Sequence, residues 1–188
     1  MAAINESNVD ELYQQATQLH RAGRLQDARG LYQQILEQQP RHARALHMLG
    51  TVLMQEEDYA GGEPYIRQSL DIEPKHAPAW SNWCVALRET GKLNEARIAG
   101  EKALWLKPDL ASAHNNLGRV YEQMGRVDEA LKCYRKAVEL NPRLVEGYTN
   151  LGYLFGVWGN YRHRWMPVGG PWQSTPTTPR LCAISVTY

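Results

Sequence analysis

The sequence has no long hydrophobic run and no surplus of charge of one sign. No stretch of about 18 consecutive apolar residues occurs, so no transmembrane helix is predicted, in agreement with a mean hydropathy of −0.54. The N-terminal segment MAAINESNVDELYQQ carries acidic residues where a secretory signal would have an apolar core. With 21 Lys and Arg against 20 Asp and Glu, the net charge of +1 favours neither nucleic acid nor a membrane as a partner.

Cysteine is also scarce, and its spacing argues against two kinds of site. Cys84, Cys133 and Cys182 form no C-x-x-C pair and no cluster with histidine, so neither a zinc site nor a disulfide framework is predicted. A reducing, cytoplasmic compartment fits this usage.

The chain has no glycine-rich phosphate loop, no G-x-S-x-G motif and no H-E-x-x-H motif. We therefore expect a protein that is not an enzyme and needs no cofactor.

Proline, in contrast, recurs at a constant interval. The prolines spaced by 34 residues are Pro40, Pro74, Pro108 and Pro142. Small residues repeat with them. Counted from the first residue of each copy, position 8 is Ala16, Gly50, Cys84, Gly118 and Gly152, and position 20 is Ala28, Gly62, Ala96 and Ala130. A constant period of this length indicates a chain of repeated supersecondary units.

The fourth copy carries the pattern most clearly, as Leu117-Gly118-x-x-Tyr121 and then Ala130-x-x-x-Tyr134. These residue types at these offsets resemble the tetratricopeptide repeat (TPR) family, whose unit is a 34-residue helix-turn-helix. The resemblance implies an all-α fold, a right-handed α-solenoid of about four and a half repeats. It divides the chain into an N-terminal extension (1–8), four repeats (9–42, 43–76, 77–110 and 111–144), a partial fifth repeat whose first helix caps the array (145–160) and an irregular tail (161–188).

Local sequence features support such an array. Small side chains at positions 8 and 20 let two helices approach closely. Glycine at position 15 (Gly91, Gly125 and Gly159) suits a tight turn with positive φ. In repeat two, the segment Ala60-Gly61-Gly62-Glu63-Pro64 places two glycines and a proline where the second helix should begin. Because these residues are poor helix formers, we expect that helix to start late, near Gly62.

Several residues with reactive or aromatic side chains are interpreted as packing residues. His114 and Trp80 occupy position 4 and Trp83 occupies position 7, which are core positions of the first helices. Cys84 replaces a small glycine at position 8. Trp105, near the end of a second helix, is expected to be buried as well.

The C-terminal tail after Tyr161 has four prolines, no acidic residue and no helical period. One interpretation is a disordered or adhesive tail of natural origin. If the coding sequence is read one base earlier, however, the codons of residues 170–188 are compatible with the amino-acid sequence A-L-A-I-N-P-D-Y-A-E-A-L-R-N-L-G-Y. This sequence matches the end of one repeat and the start of another. The alternative hypothesis is that the reading frame shifts near Tyr161 and that the chain is a piece of a longer array.

Asparagine recurs at position 6 of the first helices, as Asn82, Asn116 and Asn150. In the TPR family, positions 2, 5, 6, 9, 12 and 13 of the first helix line the concave surface. The row of asparagines resembles that in the repeat arm of O-linked N-acetylglucosamine transferases and their bacterial relatives. An amide offers both donors and an acceptor, so it can hold a peptide backbone. The alternative is that these amides are solvated or bond a neighbouring helix.

Further groove candidates follow from the same family positions. They are Arg44, His47, Arg88, Asn115, Arg119 and Tyr153. Their basic character favours an acidic ligand or a C-terminal carboxylate. The family's clamp for chaperone tails is not supported, because repeat one has Tyr13 and Thr17 where that clamp has lysine and asparagine.

The favoured function is a non-catalytic, cytoplasmic protein–protein interaction scaffold that binds an extended peptide in its concave groove. One alternative is the substrate-recruiting arm of a larger glycosyltransferase or sulfotransferase. Another is a self-assembling scaffold, because Leu151, Leu154, Phe155 and Trp158 of the fifth repeat lack a covering helix. The compact repeats without insertions indicate a bacterial source.

Overall fold

The computed structural model describes the backbone of residues 6–165 and the side chains of residues 8–156. Over that range the chain forms nine helices and no strand, so the predicted all-α fold is confirmed. The helices are α1 (Glu6–Arg21), α2 (Leu25–Gln38), α3 (Ala43–Gln55), α4 (Tyr59–Ile72), α5 (Ala77–Glu89), α6 (Leu93–Leu106), α7 (Ala111–Gln123), α8 (Val127–Leu140) and α9 (Val145–Trp165).

The helices pack as successive pairs. Within each repeat the first helix (α1, α3, α5 or α7) contacts the second (α2, α4, α6 or α8), and each second helix contacts the first helix of the next repeat. Such neighbour-only packing is that of a solenoid, in which stacked repeats build one continuous core. Tyr32 and Tyr134, at the same position of α2 and α8, are among its fully buried side chains.

The turn between the two helices of a repeat has one fixed backbone geometry. Position 15 takes a positive φ of 76° at Gly23, 78° at Gly91 and 73° at Gly125. Glycine adopts this left-handed conformation without the steric penalty of a Cβ atom. Repeat two has Glu57 there instead, with φ of 65°. In the fifth repeat, α9 continues through Gly159 to Trp165, so the turn expected at Gly159 does not form.

Glycines at position 8 allow the closest helix contacts. A Cβ added to Gly50 would lie 2.6 Å from Ile66 Cγ1 and 2.8 Å from the Gly62 carbonyl oxygen. A Cβ added to Gly118 would lie 2.6 Å from the ring of Tyr134. All three distances are shorter than real Cβ contacts, so these positions need glycine for the observed helix spacing.

The expected late start of the second helix in repeat two is wrong. α4 begins at Tyr59, and the Asp58 side chain accepts a hydrogen bond of 2.9 Å from the Gly61 backbone N–H. This N-cap satisfies one of the free donors of the first turn, which offsets the low helix propensity of the glycines. Pro64 lies inside the helix, where its missing N–H removes one helical hydrogen bond.

The expected burial of Trp105 is also wrong. Its side chain is 72% exposed, because it lies on the outer face of α6, and Lys102 Nζ lies 4.1 Å above the ring. His114 is half-buried, and its Nε2 lies 2.9 Å from the Pro108 carbonyl oxygen. The Nε1–H of Trp80 donates to the carbonyl of Pro74 in the preceding repeat, so position 4 contacts the repeat junction in both cases.

The reading-frame hypothesis concerns residues outside the described part of the chain.

Candidate functional site

The asparagines at position 6 join neighbouring first helices. Asn82 Nδ2 lies 3.0 Å from His47 Nε2, Asn116 Nδ2 lies 3.0 Å from Ser81 Oγ, and Asn150 Nδ2 lies 3.0 Å from Asn115 Oδ1. Asn82 also donates to Thr51 Oγ1 at 3.0 Å. In each case the partner at position 5 belongs to the preceding repeat and is buried. The amide NH2 groups therefore stabilise the stacking of repeats, as in the alternative interpretation in which they bond a neighbouring helix.

The oxygen of each amide has a different environment from the nitrogen. Among the described residues, none donates a hydrogen bond to the Oδ1 atom of Asn82, Asn116 or Asn150. All three side chains are half-buried. Each amide thus has a donor group held by the protein and a hydrogen-bond acceptor available to a ligand.

His47, the hydrogen-bond partner of Asn82, is a packing residue. It is only 8% exposed, and its ring lies edge-on to His76 with 4.9 Å between the centroids. Burial, with a smaller contribution from His76, lowers the pKa of His47 to about 4. The ring is consequently neutral at pH 7, so its Nε2 accepts the hydrogen bond that Asn82 donates.

Two arginines of neighbouring repeats share one carboxylate. Arg88 on α5 is only 3% exposed and its guanidinium donates to Glu89, while Arg119 Nη2 on α7 lies 3.8 Å from the same Glu89 oxygen. Burial lowers the pKa of Arg88, and repulsion by Arg119 adds to the effect. The buried Nε–H of Arg88 has no hydrogen-bond acceptor among the described residues. The pair therefore has donor capacity beyond what one carboxylate satisfies.

Two shallow depressions adjoin this pair between repeats three and five. The first, of about 290 Å³, is lined by Asn115, Arg119, Val145, Glu146, Thr149 and Asn150. The second, of about 190 Å³, is lined by Arg88, Arg119, Glu122, Gln123 and Asn150. Arg119 and Asn150 line both, so they form the centre of the candidate site, which we call the Arg119–Asn150 groove.

The predicted groove residues fall into two groups. Arg88, Asn115, Arg119 and Asn150 come together in the Arg119–Asn150 groove. Arg44 lies at the other end of the array, with its guanidinium 4.8 Å from the Tyr13 ring centroid and 3.7 Å from Asp10. The predicted residues that line neither depression are Arg44, His47, Asn82, Asn116 and Tyr153.

Sequence reasoning did not single out several lining residues. These are Glu122, Gln123, Glu146 and Thr149, at positions 12, 13, 2 and 5 of their repeats. Their positions alone could have identified them, because all four are positions that line the concave surface in the TPR family. The Glu122 carboxylate accepts a hydrogen bond of 2.6 Å from the buried Tyr134 hydroxyl, which holds it in place.

Other kinds of site find no support in the described residues. Across residues 6–165, no group of three or more His, Cys, Asp or Glu side chains is arranged to hold a metal ion. None of the described helices is long and apolar enough to cross a membrane.

Family models match most of the array. Two models described as "Tetratricopeptide repeat" match residues 13–77 and 111–144, and one described as "TPR repeat" matches residues 86–125. The chain belongs to the tetratricopeptide repeat family. Its helical pairs and their register are those of TPR units, and stacked repeats of this kind form extended concave surfaces. Among curated proteins, no relative of this TPR chain is found by sequence.

Solved structures of TPR proteins have the same fold. One is PilF from Pseudomonas aeruginosa, with 22% identity and a TM-score of 0.71 over 84% of this chain and 72% of that chain. MamA from Desulfovibrio magneticus RS-1 has 24% identity and a TM-score of 0.64 over 73% and 77% of the two chains. YrrB, described as a TPR protein with an unusual peptide-binding site, has 21% identity and a TM-score of 0.65 over 77% and 75%.

Proposed function

We propose that this TPR protein is a non-catalytic interaction scaffold that binds an extended peptide segment of a partner protein in the Arg119–Asn150 groove. One observation carries the proposal: Arg119 and Asn150 line both depressions, between first helices that are joined by the half-buried hydrogen bond from Asn150 to Asn115. YrrB, a TPR protein of similar fold, is described as having a peptide-binding site.

The groups in the groove match the needs of a peptide backbone. The side chain of Arg119 is 44% exposed, and its guanidinium can donate to a backbone carbonyl or to an acidic side chain. The Oδ1 atom of Asn150 can accept a backbone N–H. Because an extended peptide presents N–H and C=O groups in alternation, a surface with both donors and acceptors recognises the backbone, and the arginine adds a preference for acidic residues.

The first test uses a peptide selected by phage display against the intact protein, labelled with fluorescein and titrated by fluorescence anisotropy. We expect Arg119→Ala to weaken binding by about 1.5–3 kcal/mol, roughly ten- to a hundredfold in Kd, because a charge-assisted hydrogen bond is lost. Arg97→Ala is the matched control, since Arg97 lies on α6, pairs with Glu101 and lines neither depression. An equal loss in both variants, or no loss with Arg119→Ala, contradicts the proposed site.

Asn150→Ala tests the amide in the same assay. It also removes the hydrogen bond to Asn115 and leaves a buried acceptor unpaired, so its thermal midpoint must be measured in parallel. We expect weaker peptide binding at a temperature where the variant is fully folded.

A second candidate function, a self-assembling scaffold, is favoured by a different observation. Tyr148 and Phe155 of α9 are each 52% exposed. Large aromatic side chains that are exposed together are typical of interaction surfaces.

A further inference from the structure

The two depressions of the Arg119–Asn150 groove differ in the side chains that line them. The second has two guanidinium groups and one carboxylate, from Arg88, Arg119 and Glu122, and no apolar side chain. The first has charges of both signs and also the apolar Val145, whose side chain is 71% exposed. The second depression therefore suits a charged or polar group of a ligand, and the first adds contact with an apolar group.

The guanidinium of Arg119 has unused hydrogen-bonding capacity. Its Nη2 atom lies 3.8 Å from Glu89 Oε1, which is too long for a hydrogen bond, and none of the described residues accepts a hydrogen bond from its N–H groups. Arg88, which is only 3% exposed, donates to Glu89, but its buried Nε–H has no acceptor among these residues. Because both arginines line the second depression, a carboxylate bound there lies beside both guanidinium groups. It can accept charge-assisted hydrogen bonds from Arg119.

The acidic residues nearby limit the charge that the second depression accepts. Glu89 pairs with Arg88, and Glu122 lines the depression, where its Oε2 atom accepts a hydrogen bond from the Tyr134 hydroxyl. These two carboxylates balance the charges of the two arginines. A phosphoryl group, with a charge of about −1.5 to −2, would be repelled by Glu122 more strongly than a carboxylate with a single charge. A carboxylate is therefore the favoured anion.

The two depressions are adjacent, because Arg119 and Asn150 line both. In an extended peptide, side chains i and i+2 point to the same face and lie about 6.7 Å apart. On the basis of the proposed peptide binding, we propose that the second depression holds the side chain of an aspartate or glutamate of the bound segment. The first depression holds an apolar side chain two residues away. The groove thus recognises a short internal pattern, in which one residue separates an acidic residue from an apolar one.

Phage display of a random linear peptide library on the intact protein tests the pattern. We expect enrichment of peptides in which one residue separates Asp or Glu from an apolar residue. A selected peptide is then labelled with fluorescein, amidated at its C-terminus and titrated by fluorescence anisotropy. Replacing its acidic residue by the corresponding amide should weaken binding by about tenfold or more, because the charge-assisted hydrogen bond is lost. A phosphoserine at that place should also bind more weakly than the acidic residue.

Charge reversal assigns the acidic residue to its partner. Arg119→Glu should lose the selected peptide and bind a version with lysine in place of the acidic residue better than the wild-type protein does. Arg97→Glu is the matched control, because Arg97 lies on α6 and lines neither depression, and it should leave both affinities unchanged. Val145→Asp, at an exposed position, should remove the enrichment of apolar residues in a repeated selection.

The outcomes separate the two side-chain subsites from the groove itself. Peptides that lose binding with Arg119→Ala but show no acidic pattern, or that bind equally well with the amide, overturn the carboxylate subsite and keep the peptide groove. Binding that disappears when the C-terminus is amidated, or that is tighter with phosphoserine, also overturns it. If Val145→Asp leaves the enrichment unchanged, the apolar subsite is wrong. A selection that yields no peptide contradicts the groove and both subsites.

Discussion

At the scale of single residues, position 15 shows how one backbone conformation selects its side chain. Gly23, Gly91 and Gly125 have positive φ at this turn, and Glu57 has the same conformation in repeat two. A side chain in the left-handed region costs roughly 1–2 kcal/mol, because its Cβ approaches the backbone carbonyl. The surrounding helices hold Glu57 there, since α3 and α4 pack in the same register as the other pairs.

Replacing Glu57 with glycine should therefore stabilise the protein. The relief of backbone strain is partly offset by the greater freedom of glycine in the unfolded chain, so we expect a gain of about 0.5–1 kcal/mol in the free energy of unfolding. Urea denaturation followed by circular dichroism measures it. Gly91→Ala, at the same position of repeat three, should lower the free energy of unfolding by about 1 kcal/mol. If both substitutions shift stability in the same direction, strain at position 15 is not the cause.

At the scale of helices, the spacing within a pair depends on which side chain faces position 8. In repeat four, Gly118 of α7 lies against the ring of the buried Tyr134 on α8. In repeat five, Gly152 of α9 has nothing comparable near it. Packing therefore requires glycine at position 8 of α7 but not at position 8 of α9.

Gly118→Ala and Gly152→Ala form a matched pair of substitutions. Alanine at Gly118 places a Cβ within 2.6 Å of the Tyr134 ring, and we expect overpacking to destabilise the protein by about 1–3 kcal/mol. Alanine at Gly152 meets open space, and its better helix propensity should stabilise by up to about 1 kcal/mol. Urea midpoints of the two variants should move in opposite directions. Equal shifts contradict a packing requirement at Gly118.

Most of the helical architecture could be predicted, because the period of 34 residues and the small residues at positions 8 and 20 are encoded locally. Helix propensity alone does not predict the start of α4, because Gly61, Gly62 and Pro64 are poor helix formers and the N-cap at Asp58 offsets their effect. The exposure of Trp105 was missed because aromatic character alone does not tell which side of a second helix a residue occupies.

The candidate site was predicted less completely. The family positions indicate which residues line the concave surface. They do not show which polar atoms of these residues already form hydrogen bonds within the protein. The position 5 partners of the asparagines are a histidine, a serine and an asparagine (His47, Ser81 and Asn115). Since these residue types share no sequence pattern, the hydrogen bonds between repeats became visible only in the structure.

At the scale of the whole molecule, these amide bonds join one repeat to the next. Asn82 links repeat three to repeat two, Asn116 links repeat four to repeat three, and Asn150 links α9 to repeat four. In a linear array, stability is the sum of repeat terms and neighbour interfaces, so a change at one interface affects the cooperativity of the whole molecule. The interface between repeats two and three differs from the others, because its acceptor is a titratable histidine.

The free energy of unfolding should consequently fall as the pH falls below neutral. Burial lowers the pKa of His47 to about 4, whereas the unfolded chain has the ordinary value near 6.5. Between those values the unfolded state binds the extra proton, so stability increases with pH in this window and is lost on acidification. From pH 7 to pH 5, His47 alone should account for a loss of about 2 kcal/mol. His47→Gln keeps an acceptor for Asn82 and does not titrate, so urea denaturation of this variant should show a smaller loss by that amount. The acidic residues contribute equally to the pH dependence of stability in both proteins, so their contribution cancels in the comparison. Identical pH profiles would show that His47 is protonated as easily in the folded array as in the unfolded chain.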